Sequence, residues 1–261
     1  MRALSIGATG MQAQQLNVEV ISNNIANIST TGFKRSRAEF QDMLYENLRR
    51  VGSPTSDNGT ILPSGLQVGL GVKPVATYRI NEQGSLTVTD NEYDVAINGR
   101  GYFQIQMPDG STAYSRAGSL QLDDSGQLVN VDGYPIIPSI TVPDDALSVS
   151  ISSSGLVTAT IDGETEARNL GQLQLATFIN PTGLESLGDN LLRETEASGT
   201  ATVANPQSTG VGSLVQGSLE SSNVNVVSEI TNLITAQRAY EMNSRVLQTA
   251  DDMLTTISQL R

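Results

Sequence analysis

The chain contains no cysteine and no histidine among its 261 residues. No disulfide can therefore form, no Ser-His-Asp or Cys-His catalytic site can be assembled, and the usual zinc ligand sets are missing. Lysine occurs only at Lys34 and Lys73. A formal net charge of −12 excludes the broad basic face that a nucleic-acid binder uses to displace counterions. No run of about 18 apolar residues is present, so no segment reads as a membrane-spanning helix. The start of the chain lacks the basic-then-apolar pattern of a secretory signal. Asn, Gln, Ser and Thr are abundant instead, a balance common in extracytoplasmic assembly proteins, so composition leaves the compartment open.

Other routes to catalysis are equally bare. No Walker phosphate loop occurs, since Gly69-Leu70-Gly71-Val72-Lys73-Pro74 has neither the spacing nor the Ser/Thr. The adjacent acids Asp123-Asp124, Asp144-Asp145 and Asp251-Asp252 would point to opposite faces of a strand, and the first two pairs sit in turn-like segments where Asp is expected for backbone reasons. Asp109-Gly110, Asp132-Gly133 and Asp162-Gly163 lack the alternating ligands of a calcium loop and read as turns. The expectation is a protein with no catalytic residues, no metal, no cofactor and no small-molecule substrate.

What is present is concentrated at the two ends. Val226, Leu233, Tyr240, Leu247 and Leu254 recur every seven residues, with Ala236, Ala250 and Ile257 three places after three of them, which predicts an amphipathic helix over 222–261 with a heptad seam. Leu4, Met11, Val18 and Ile25 keep the same spacing in a helix predicted over 3–28, and Ile21 and Ile28 widen the stripe. Each buried Leu or Ile contributes roughly 1.5–3 kcal/mol, while ordering each residue costs a comparable amount, so a lone pair of such helices is marginal. Two solutions remain open: a hairpin packed on its own core, or pairing with further copies of the chain.

Between the helices the apolar period changes from about 3.6 to 2. Phe103, Ile105 and Met107 alternate with Gln104 and Gln106; Leu120 and Leu122, Val149 and Ile151, and Val157, Ala159 and Ile161 follow the same pattern, with Leu173, Leu175 and Phe178 supplying a further strand. Short strands joined by Asp-Gly and Ser-Gly turns predict an antiparallel β-rich domain over about 71–221, its last residues connecting to the C-terminal helix. The fold class is therefore α+β.

Residues 29–70 read as a linker and arm. Asn27-Ile28-Ser29-Thr30-Thr31-Gly32-Phe33 favours caps and turns, with Gly32 a candidate for positive φ. Phe40, Leu44 and Leu48 at spacing four predict a short helix over about 37–50, and Gly52 to Gly71 shows little periodicity. Charge divides at this point: residues 1–50 hold six basic and four acidic groups, residues 51–261 nine and 23. The basic groups Lys34, Arg35 and Arg37, and again Arg49 and Arg50, are expected on a solvated face; in a polymer such a patch could meet a neighbour's acidic surface and set register.

The segment Ser22-Asn23-Asn24-Ile25-Ala26-Asn27-Ile28-Ser29-Thr30-Thr31-Gly32-Phe33-Lys34 resembles the signature of bacterial flagellar rod and hook proteins. Gly217 to Val227, continuing to Gln237-Arg238-Ala239-Tyr240-Glu241-Met242-Asn243, resembles the matching C-terminal motif. Tyr93 to Phe103, Leu62 to Gly69 and Asn180 to Leu184 fit the distal-rod members of that family best, although Arg100 and Tyr102 stand where the family often has an acidic residue and Phe. The resemblance covers essentially the whole chain.

It implies terminal domains at 1–28 and 222–261 that pair as a coiled coil lining a tube, with the β domain outside. The implied function is a rigid hollow drive shaft, the distal rod, that crosses the periplasm and transmits motor torque. The implied partners are other copies, proximal rod proteins, hook protein, the peptidoglycan and outer-membrane ring proteins, and the flagellar export apparatus, with export needing no cleavable signal. A chain threaded unfolded through a channel is best without disulfides, and this one can form none. The resemblance also links the stretch 46–70 to shaft stiffness, and its residues Arg49, Arg50, Pro63, Gly65 and Leu66 are expected to form an arm that bridges subunits.

Overall fold

The computed structural model describes residues 2–49, 65–163 and 166–259. The chain forms two compact units, one from residues 1–25, 36–78 and 225–261, the other from residues 26–35 and 79–224.

The first unit contains both long helices, α1 (Arg2–Ala26) and α2 (Val226–Gln259). The second of these contains neither Gly nor Pro, which is why it runs for 34 residues without a break. Its start is capped by Asn225, whose Oδ1 accepts from the Ser228 N–H at 3.1 Å, and Glu229 in the first turn complements the helix dipole. No helix among the described residues is long and apolar enough to cross a membrane.

The helix expected over 37–50 is not formed. Its residues make strands β1 (Ser36–Asp42) and β2 (Tyr45–Arg49), which pair respectively with β4 (Val72–Arg79) and β3 (Leu66–Gly69). The β2–β3 ladder is antiparallel and places Tyr45 opposite Gly69 and Arg49 opposite Leu66. Backbone pairing overrode the spacing-four signal because Phe40, Leu44 and Leu48 share no buried face: Leu44 sits at the corner between β1 and β2 with 83% of its surface exposed. The stretch expected to be irregular thus holds regular strands at 45–49 and 66–69. Its middle, with Arg50 and Pro63, lies outside the described residues.

The second unit is built from short antiparallel strands, as the period-2 pattern predicts. Its seven-stranded sheet runs in the order Glu185–Gly188, Leu191–Arg193, Thr112–Ser115, Tyr102–Gln106, Leu175–Thr177, Thr202–Ala204, with Ile136–Ile137 also pairing with Tyr102–Gln106. A three-stranded sheet of Ala146–Ile151, Leu156–Ile161 and Arg168–Gln172 closes the other side of a core containing Val95, Ile97, Phe103, Leu128, Val157, Leu175 and Leu214, all essentially without solvent exposure. The alternation between core and solvent holds at Val149 and Ile151 and at Val157, Ala159 and Ile161, but strand Tyr102–Gln106 is covered on both faces, with Gln104 buried between Phe103 and Ile105. Two further pairings, Val95–Asn98 with Ser213–Gln216 and Leu86–Val88 with Ser218–Glu220, tie the end of the unit back to its start.

Candidate functional site

The helices of the first unit run antiparallel against each other, since rising numbers on α1 meet falling numbers on α2. A Cβ added at Gly7 would lie 3.0 Å from Leu247 Cδ2, and one added at Gly10 would lie 2.9 Å from Asn243 Nδ2. Further along, Asn24 Nδ2 donates to Glu229 Oε2 at 3.4 Å. Glycine at positions 7 and 10 is what allows the axes so close, and Ala13, Ala236 and Ala250, all buried, continue the small-residue seam.

The inward line of α2 is therefore Glu229, Ala236, Asn243 and Ala250, with Leu233 and Leu247 half-buried beside it. On α1, Ile21 is buried and Leu4, Met11, Val18 and Ile25 are half-buried; Ile28, in the second unit, is also half-buried. Val226, Tyr240 and Leu254 are exposed, Tyr240 at 43%. The side chain of Ile257 lies outside the described residues. The heptad reading thus includes Ala236 and Ala250 of the line covered within the chain and Leu233 and Leu247 beside it, while its Val226, Tyr240 and Leu254 stay exposed.

It also missed a second set. Next to the heptad residue Val226, the residues Val227, Ile230 and Ile234 are exposed on the first half of α2, Val227 at 75%, and Met242, Val246 and Met253 on its second half, Met242 at 66%. At 3.6 residues per turn the first group lies to one side of the inward line and the second group to the other side. One antiparallel helix covers neither flank. Surplus apolar residues outside the heptad positions were the available signal.

The asparagines of the N-terminal motif have separate duties. Asn24 is 1% exposed and holds β1 from both sides of one residue: its Nδ2 donates to the Ser36 carbonyl at 2.8 Å and its Oδ1 accepts from the Ser36 N–H at 2.8 Å. Asn27 Oδ1 accepts from Thr30 Oγ1 at 3.1 Å in the turn after α1. Asn23 and Ala26 are exposed, while Thr31 and Phe33 are half-buried; in the C-terminal motif Gln237 and Arg238 are exposed and Ala239 half-buried. Replacing Asn24 with Ala leaves the half-buried N–H and C=O of Ser36 without their side-chain partner, at about 1–3 kcal/mol. Urea unfolding should show a lower midpoint with the slope unchanged.

Gly32 takes φ +68°, as its sequence context predicts, and its N–H donates to the Glu220 carbonyl at 2.8 Å. The next residue but one corrects the sequence reading. Lys34 is not on a solvated face but 8% exposed, and its Nζ donates to Glu220 Oε1 at 2.5 Å and to the Glu82 carbonyl at 2.7 Å. Arg116 Nε donates to Glu220 Oε2 at 2.5 Å, and the rest of its guanidinium donates to the carbonyls of Gly101, Ile97 and Gly99 at 2.6, 2.9 and 2.7 Å. Burial alone would push the Glu220 carboxyl up, but Arg116 and then Lys34 outweigh it and hold the group below the ordinary glutamate range. This triad fixes the motif segment, the residue that follows strand Thr112–Ser115 and the last strand of the unit to one another. Arg37, by contrast, is exposed beside Glu39 at 3.5 Å, and Arg35 is half-buried.

Beside the triad opens a cleft of about 380 Å³ lined by Lys34, Arg100, Arg116, Tyr102, Phe178 and Ile179 among others. Of the proposed arm residues, Arg49 and Leu66 are exposed across the β2–β3 ladder and Gly65 is half-buried. Of the adjacent acids, the first pair carries the expected backbone duty: Asp123 Oδ1 accepts from Ser125 N, Ser125 Oγ and Gln127 N, and the Ser125 hydroxyl leads in holding its carboxyl below the usual range. No cluster of three or more His, Cys, Asp or Glu able to hold a metal occurs among the described residues.

Three family models match the chain: "Flagella basal body rod protein" over residues 4–34, "Flagellar hook protein FlgE/F/G D1 domain" over 96–159 and "Flagellar basal body rod FlgEFG protein C-terminal" over 215–260. The chain is 58% identical over 261 residues to the flagellar basal-body rod protein FlgG of Caulobacter vibrioides, covering 100% of both chains. It is 53% identical over 258 residues to FlgG of Buchnera aphidicola and 53% over 259 residues to FlgG of Agrobacterium fabrum, covering 99% of each chain in both comparisons.

Proposed function

The chain belongs to the flagellar basal-body rod protein family, and from that premise we propose that copies of it join through their terminal helices into a rigid hollow shaft, the distal rod, which carries motor torque to the hook. It is a structural rod subunit of the flagellum and not an enzyme, and its place is the flagellar basal body. The observation that carries the finer reading is the pair of apolar flanks on α2, which one α1 cannot cover and which further helices from neighbouring copies would. In the assembled shaft the helices form a coiled coil around the lumen through Leu4, Met11, Val18, Ile21 and Ile25 on one side and Val226, Leu233, Tyr240, Leu247, Leu254 and Ile257 on the other, with Ile28 continuing the stripe. The β-rich unit faces outward, and the segment around Arg49, Arg50, Pro63, Gly65 and Leu66 bridges subunits.

Assembly at this level makes function a property of interfaces rather than of a pocket. The shaft crosses the periplasm, and its partners are proximal rod proteins at one end, hook protein at the other and the peptidoglycan and outer-membrane rings around it. The subunit reaches its place through the flagellar export apparatus. Electron microscopy of the concentrated protein tests the reading: tubes with a lumen support it, and monodisperse particles at every concentration reject it.

A further inference from the structure

The β-rich unit is the acidic part of the molecule, yet its cleft gathers three cationic side chains, Lys34, Arg100 and Arg116. Two of them are already committed to Glu220. Arg100 makes no ion pair among the described residues and stands exposed at the rim. Beside it the wall is apolar: Tyr102 and Phe178 meet edge to face with centroids 5.9 Å apart, and Ile179 projects with 92% of its surface exposed. An exposed isoleucine next to an unpaired guanidinium asks for a ligand that is both acidic and apolar.

The same unit presents such a segment. In Pro143-Asp144-Asp145-Ala146-Leu147, both aspartates are exposed and without an ion pair among the described residues, and Leu147 is 69% exposed. Its position matters. Strand Ala146–Ile151 leads away from Leu147 to the turn at Ser153, where Gln207 Nε2 donates to Ser153 Oγ at 2.9 Å, Gln207 N to the Gly212 carbonyl at 2.9 Å, and Gly212 N to the Arg100 carbonyl at 2.7 Å. The cleft therefore adjoins one end of the strand and the acidic segment the other, separated by roughly 20 Å at about 3.3 Å per residue. A molecule with complementary patches at opposite ends makes a head-to-tail contact that does not close on itself.

Resting on the rod reading above, we propose that the β-rich unit carries such a contact, in which Asp144, Asp145 and Leu147 of one copy seat at the cleft around Arg100, Phe178 and Ile179 of the next. Leu147 packs beside Ile179, and the two aspartates face Arg100. This contact is separate from the helices and gives the shaft a second grip at larger radius, where resistance to twisting is greatest.

The absence of cysteine makes the test clean. The double variant Leu147→Cys with Ile179→Cys, polymerised and then oxidised, should give a ladder of covalent dimers, trimers and higher multimers on a non-reducing gel, while each single variant stays monomeric. Independently, Arg100→Glu should raise the concentration needed for polymerisation about tenfold, because two exposed ion pairs turn repulsive, and adding Asp144→Arg and Asp145→Arg should restore it. Fibres that form normally but give no ladder, with no effect of Arg100→Glu, overturn this contact and leave the rod reading standing. If the unaltered protein forms no fibres at all, both readings fall. Polymerisation unaffected by the charge changes, together with binding of peptidoglycan fragments that Arg100→Glu abolishes, would show the cleft to hold an anionic glycan peptide instead, and would also overturn the proposal.

Discussion

Replacing Glu220 with Gln is expected to destabilise the protein by about 3–5 kcal/mol, the usual cost of removing one partner from a buried ion pair. Glu220 is 2% exposed and accepts from Lys34, Arg116 and the Gly84 N–H. A neutral amide would keep the shape and one acceptor but leave two buried cations facing each other without their counter-charge. At roughly 2–4 °C per kcal/mol for a body of this size, the melting midpoint of the β-rich unit should fall by about 6–20 °C. A shift of less than about 3 °C would mean the triad is a bystander.

The same residue fixes the sign of a pH effect. The Glu220 carboxyl titrates lower in the folded state than in the unfolded chain, where the value is about 4.3. Its contribution is then fully present above that value and is lost as pH falls through the folded one. Urea midpoints measured against pH should therefore fall more steeply in acid for the unaltered protein than for Glu220→Gln, the two curves converging at low pH. Parallel curves would exclude Glu220 as the group responsible.

The second large effect is expected from Gly32→Ala. Gly32 sits at φ +68°, where a Cβ costs roughly 1–2 kcal/mol. The added methyl would also lie 2.8 Å from the Arg116 carbonyl carbon and 2.9 Å from the Ala117 nitrogen. Both are backbone atoms, and the segment that carries them is pinned by the Arg116 guanidinium, so neither side yields cheaply. The two costs together should reach about 3–4 kcal/mol. Denaturant unfolding of the variant checks this, with Thr31→Ala as a comparison at a half-buried neighbour. Equal losses in the two variants would show that the glycine is not special.

How much of this was legible in the sequence differs from element to element for physical reasons. The helices and the β-rich centre were visible because their apolar periods of 3.6 and 2 are written in single residues, and Gly32 was visible because its neighbours are turn formers. The strands at 36–49 were not, since their pairing partners lie at 66–79 and the local spacing of Phe40, Leu44 and Leu48 points to helix. Lys34 looked like part of a surface patch because its counter-charge, Glu220, lies 186 residues away. The cleft was equally hidden: Arg100, Phe178 and Ile179 come together only through sheet register. In the helices the motif Asn24 was recognisable, but its grip on Ser36 was not, because that needs the turn after α1 to bring β1 back.

The central claim is that the apolar flanks of α2 are satisfied by neighbouring copies. Hydrogen exchange along residues 226–257, measured on dilute monomer and on assembled fibres of the same protein, tests it most directly. The account predicts amides that exchange rapidly in the monomer and become strongly protected throughout that stretch on assembly. Full protection already present in the dilute monomer, unchanged in the fibre, would contradict it.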